Sequence, residues 1–214
     1  MHEDMSTNTD VPFGDHLNRV YRQVAEKDDQ CVVVLERTYL ESARTLWKAL
    51  TDPEQLAGWF GPIEGDLRNG GEFTLTETGV QGKITLCDHL RSIILDWETN
   101  GTPSQVSIAM PAEREGTILT LRHTMDHTTH WDQYGPAAVG VGWDGALVNL
   151  GLFLAGDDRA HPEQARKFAS SKEGKDFMKA SARLWKEAHT AAGAEDALAE
   201  QAARRTAEFY TNPQ

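Results

Sequence analysis

The stretch "LERTYLESARTLWKALTDPEQLAGWF", residues 35–60, changes its periodicity twice, and those changes decide the fold. Its first residues continue "CVVV" (31–34) as a β-branched, then alternating run, so residues 31–39 predict a strand. Apolar spacing then becomes helical. Leu46, Trp47 and Leu50 share one face, and Ser42 stands where a cap oxygen is needed. A second short helix restarts at "TDPEQLAGWF". Asp52 can cap it, Pro53 suits the first helical position because its missing N–H has no partner there anyway, and Gly61-Pro62 ends it.

Upstream, residues 1–12 are polar and expected to be mobile. Leu17, Val20, Tyr21 and Val24 then predict one face of a short helix over residues 13–28. Downstream, segments 70–79, 82–90, 91–99, 104–112 and 116–125 alternate apolar and polar residues, with Phe73, Leu75, Ile84 and Leu86 on one face. Asn69-Gly70-Gly71, Asn100-Gly101 and Glu115-Gly116 supply turns between them. About five or six antiparallel strands are followed by "GWDGALVNLGLFLAG" (142–156), a strongly apolar helix. A sheet with its helices on one face is α+β. Two tail helices follow. Ser170 and Glu173 suggest a capping box, Phe177, Leu184, Trp185 and Ala188 one apolar face, Gly193 a break, and Leu198, Ala202 and Phe209 a last stripe.

Composition narrows the function. Lys and Arg number 21 against 33 Asp and Glu, a net charge of −12, which argues against nucleic acid or an anionic membrane as partner. Residues 157–214 carry ten acids and ten bases, so the acidity lies upstream and the tail is a distinct element. The two cysteines, Cys31 and Cys87, are too few for a disulfide framework and read as reduced, buried thiols. No secretion leader or membrane-spanning run is expected, so a cytoplasmic location is. Phosphate-binding glycine loops, nucleophile elbows and Cys-x-x-Cys pairs are missing, and neither cofactor nor catalytic residue is assigned.

Four stretches together resemble the SRPBCC (START-like, helix-grip) superfamily. They are "LERTYLESARTLWKALTDPEQLAGWF", "GKITLCDHLRSIILDWE", "GTILTLRHT" and the "GW" of Gly142-Trp143. Within it they resemble the branch named for the activator of the Hsp90 ATPase. The resemblance covers residues 31–156 and implies a Bet v 1-like curved antiparallel sheet wrapped around a long C-terminal helix, with a cavity between them. Residues 1–30 form a polar segment and short helix before this domain. Residues 157–214 resemble a helical extension, expected to pack on the domain or on a second copy of the chain in a homodimer.

In such a cavity a small, largely hydrophobic molecule is the expected partner. Trp59, Phe73, Trp97, His123 and Trp143 are the expected wall. Asn149, a polar side chain on an apolar helix, is the expected anchor unless it faces solvent. A polyketide cyclase or hydrolase is the alternative, and it requires His123 or another base beside an inward carboxylate. Glu72, Glu77, Asp96 and Glu98 lie on strands but read as solvated. A chaperone-ATPase regulator is the weaker alternative, because residues 1–30 are too short for the extra domain of the eukaryotic activators. His123, His127 and His130 raise a metal site. However, His123 ends a strand, so helical ligand spacing fails, and the three read as the rim of a cavity mouth.

Overall fold

A computed structural model describes residues 12–111 and 116–212. Residues 1–11 of the segment 1–12 expected to be mobile, and Glu115 of the last turn, lie outside the described residues. The elements run α1 (Phe13–Leu17), β1 (Tyr21–Lys27), β2 (Gln30–Tyr39), α2 (Ala43–Thr51), α3 (Pro53–Trp59), β3 (Ile63–Gly65), β4 (Glu72–Leu75), β5 (Gln81–Asp88), β6 (Ser92–Thr99), β7 (Thr102–Ala109) and β8 (Thr117–Asp126). They end with α4 (Thr129–Tyr134), α5 (Ala137–Leu154), a 3-10 turn at Asp158–Ala160, α6 (Pro162–Ser170), α7 (Lys172–Ala191) and α8 (Asp196–Thr211). The eight strands form one antiparallel sheet in the order β1-β2-β8-β7-β6-β5-β4-β3. Its concave face holds α5, so the architecture is the expected α+β helix grip.

The helix pair of residues 35–60 forms as its sequence dictates. Ser42 Oγ accepts the Thr45 amide at 3.2 Å, and Asp52 Oδ1 accepts the Glu54 amide at 3.0 Å. Between β2 and the sheet's far edge, the chain therefore crosses one end of the cavity rather than continuing the meander.

Five local expectations are corrected. First, residues 21–27 are strand. Val24 pairs with Val33 while Tyr21 is 61% exposed, so four apolar points that fit a helix also fit an edge strand, and pairing with β2 decides. Second, a register shift between Ile84 and Leu86 turns Leu86 outward and brings Cys87 to the hollow. Third, α5 begins at Ala137 and runs through Gly140. Its 18 residues carry a single charge, Asp144, and are apolar enough for a membrane span, yet the helix sits in the grip of the sheet as the core helix. A Cβ on Gly140 would lie 2.2 Å from the Trp185 indole, so glycine here allows α7 to seat directly on α5. Fourth, the tail holds three helices, and the α7 cap is Ser171, which accepts the Gly174 amide at 3.0 Å, because Ser170 still belongs to α6. Fifth, the buried face of α8 is Ala199, Ala202, Ala203 and Thr206. These small residues let α8 lie close on α7 and leave Leu198 60% and Phe209 65% exposed.

The tail is fixed by one buried charge. Arg22 on β1 donates to both Asp144 oxygens at 2.8–3.1 Å, Ser181 Oγ donates to Oδ2 at 2.6 Å, and Trp185 Nε1 donates to Oδ2 at 3.0 Å. Every partner is a donor, so an ionised carboxylate is the form that this site accommodates. Burial pushes the Asp144 carboxyl upward, while Arg22, Ser181 and Trp185 pull it down.

Candidate functional site

The hollow between the sheet and α5 has two connected parts. The inner part, of ≈ 100 Å³, is walled by apolar side chains of α3, β4, β6, β7, β8 and α5, with Thr51 and Cys87 as its polar exceptions. The outer part, of ≈ 800 Å³, opens between the ends of β6–β8, α4, α5 and the last turn of α8. An apolar cavity of about 150 Å³ accepts one benzene ring. The inner part is smaller than that, so it takes at most a single ring and is too small for a long acyl chain, while the outer part can hold the rest of a larger molecule.

An aromatic collar separates the two. Phe60, Leu75, Trp97, Trp143 and Ala146 line both parts. Trp97 and Trp143 have ring centroids 5.4 Å apart, Phe73 lies 6.2 Å from Trp97, and Phe60 runs parallel to Trp143 at 6.5 Å. These distances suit aromatic packing.

The collar is oriented by a hydrogen-bonded relay. Trp143 Nε1 donates to His123 Nδ1 at 3.0 Å, and indole N–H can only donate, so Nδ1 carries no proton. The proton of neutral His123 is therefore on Nε2, which donates to Ser104 Oγ at 2.8 Å. Ser104 in turn donates to the Trp97 carbonyl at 2.8 Å. Burial holds His123 at about 4, well below the usual histidine value, so near neutral pH the ring is uncharged. A Ser–His pair invites a nucleophile-and-base reading, but the protons run the other way. Histidine donates to serine, and its one acceptor atom is occupied by Trp143.

The five expected wall residues come together, but the expected anchor does not join them. Trp59 and Phe73 line the inner part, Trp97 and Trp143 line both, and His123 lines the outer. Asn149 is not among the lining side chains. Its amide nitrogen donates to the carbonyls of Trp59 and, at 2.8 Å, of Ala160, so it ties α3 and the 3-10 turn to α5 and has no free donor to anchor a ligand. Of the four tryptophans lining the two parts, Trp59 donates to Ala49 O, Trp131 to Glu26 and Trp143 to His123. Only the Trp97 N–H has no protein acceptor among the described residues.

The histidines of 122–131 diverge. His123 points inward, His127 Nε2 lies 3.4 Å from Asp132, and the His130 ring packs 4.8 Å from Tyr134. Among the described residues no group of three or more His, Cys, Asp or Glu is placed to hold a metal. The stretch is less of a loop than expected, since Thr129–Tyr134 forms α4. Glu72, Glu77, Asp96 and Glu98 are all exposed, and Glu77 pairs with Arg166 at 2.7 Å. Ser104, Phe60 and the α8 residues Phe209 and Tyr210 were missed in the sequence. Ser104 sits in an unremarkable polar strand, and nothing local signals that α8 returns to the mouth, where Tyr210 Oη donates to Ala138 O at 2.9 Å.

A curved antiparallel sheet closed on a long helix around an apolar hollow defines the helix-grip class of α+β proteins. The chain belongs to the family described as Activator of Hsp90 ATPase homolog 1-like protein, whose match spans residues 41–154, more than half of its length. The crystal structure of CalU16 from Micromonospora echinospora is 29% identical over 77% of this chain and 97% of that one, with a TM-score of 0.61. Its solution structure gives 26% identity over 81% and 97%, with a TM-score of 0.68. A conserved protein of unknown function from Enterococcus faecalis shares the fold at 16% identity over 85% of this chain and 96% of that one, with a TM-score of 0.59. No curated protein sequence matches the chain.

Proposed function

We propose that the chain binds a small, largely hydrophobic molecule in the hollow, with its apolar end in the inner part and its more polar remainder at the mouth. The observation that carries this reading is the graded wall. An apolar, ring-sized inner part passes through an aromatic collar into a wider chamber lined by Thr78, Thr99, Thr102 and Ser104. Such a wall suits an apolar body with a few directional polar contacts. Trp59, Phe73, Trp97 and Trp143 form the binding surface in this reading, and the free indole N–H of Trp97 is the donor available to an acceptor on the ligand. The tail's role is to complete the mouth through Phe209 and Tyr210.

No observation favours a cyclase or hydrolase. Among the described residues the inner part carries no carboxylate, and His123 has no acceptor atom available to take a proton. Native mass spectrometry of freshly purified protein, compared with the denatured sample, tests the proposal. A non-covalent addition of a few hundred daltons that is lost in Trp97→Ala supports it. A bare mass, together with no uptake of uncharged aromatic probes, refutes it.

A further inference from the structure

The lining of the hollow also constrains the charge of what enters it. Among the described residues, no lysine or arginine lines either part. The acids at the wide part are Glu77 and Asp126, and only Glu77 has a basic partner, Arg166. Asp126 has no ion pair among the described residues. Two histidines line the wide part: His123 is held neutral by its relay to Trp143 and Ser104, and His130 packs its ring 4.8 Å from Tyr134. The protein as a whole carries −12. A carboxylate, sulfonate or phosphate head would therefore meet no permanent cation at the mouth and a repulsive field around it.

A cation meets the opposite situation. The aromatic side chains of Trp97, Trp131, Trp143, Phe209 and Tyr210 are among those lining the wide part. An ammonium over the face of such a ring is attracted by the ring quadrupole, and the attraction grows when water is excluded.

Resting on the binding reading above, we infer that the ligand is a cationic amphiphile, an amine attached to a ring-sized apolar end, and that anionic amphiphiles are rejected. The ring occupies the inner part and the ammonium lies among the aromatic faces of the mouth.

A matched set of probes tests this on the full chain by isothermal titration calorimetry: phenylbutylamine, phenylbutanol and phenylbutyrate, which share one apolar end and differ only in head charge. The expected order is amine, then alcohol, then acid, with the amine about tenfold tighter than the acid at low salt and the ratio shrinking as salt rises. Asp126→Lys, at the exposed rim, should narrow the ratio of amine to acid affinity. Equal binding of all three overturns the charge inference and leaves the binding reading standing. Tighter binding of the acid, or an amine preference unmoved by salt and by Asp126→Lys, overturns it as well. Failure of all three to bind removes both.

Discussion

The two faces of α5 are built on opposite principles. Towards the tail, Gly140 lies against the Trp185 indole, and Asp144 is surrounded by donors from β1 and α7. Towards the sheet, Trp143, Ala146, Leu147 and Leu150 face a space that the protein leaves unfilled. One side therefore tolerates almost no change, and the other has room to give. The comparison teaches how an apolar hollow stays open: the same helix is held rigidly from behind, so the wall in front need not collapse.

The sharpest way to break that contrast is to remove Arg22. Arg22→Ala leaves a buried carboxylate without its cation and should destabilise the fold by about 3–5 kcal/mol, read by urea unfolding. If the loss stays below about 1 kcal/mol, the tail face is not the rigid one.

Next is acid. His123 sits at about 4 in the fold against an ordinary value of 6.5, so its contribution is complete above pH 6.5 and is lost as pH falls from there towards 4. The shift corresponds to about 3 kcal/mol. His16, buried and beside Arg37, is also held at about 4 and adds to the loss over the same window. His123→Gln should flatten part of the pH dependence of unfolding, and an unchanged profile would show that the relay does not hold the ring neutral.

Gly140→Ala drives a methyl into the Trp185 indole and should cost about 1–3 kcal/mol by overpacking. Ala146→Leu on the opposite face should change stability by less than about 1 kcal/mol, because its extra atoms enter empty space, while abolishing uptake of an aromatic probe. Equal costs for the two substitutions would erase the distinction between the faces. The smallest effect on folding is expected from Trp97→Phe, which removes the free N–H together with part of the ring of a half-buried side chain. Stability should hold within about 0.5 kcal/mol, and probes that carry a carbonyl should lose the advantage they hold over those without one.

The contrast also separates what was legible in the sequence from what was not. Residues 31–60 read correctly because strand period, cap and N1 proline are local signals, and Trp59, Phe73, Trp97 and Trp143 fall on the hollow because alternation and helical phase place them there. Residues 21–27 did not read correctly, because an edge strand is decided by its partner. Leu86 and Cys87 exchanged faces through a bulge that no residue type announces. Asn149 drew attention as a polar residue on an apolar helix, but the same signal was stronger at Asp144, a charge five residues earlier. Both turned out to be internal ties. What a buried polar group bonds to depends on elements far away in the chain: β1 and α7 for Asp144, α3 and the 3-10 turn for Asn149.

The bulge in β5 has one practical result. It sets the Cys87 thiol among the residues lining the inner hollow, while Cys31 on β2 is fully buried with its thiol pushed up to about 12. The protein thus carries a natural reporter inside the candidate binding space. Burial and Asp88 raise the Cys87 thiol too, so its alkylation is slow and speeds up with alkalinity. The rate at which a small alkylating reagent labels that one sulfur, with and without an added compound, measures occupancy of the hollow whatever molecule fills it.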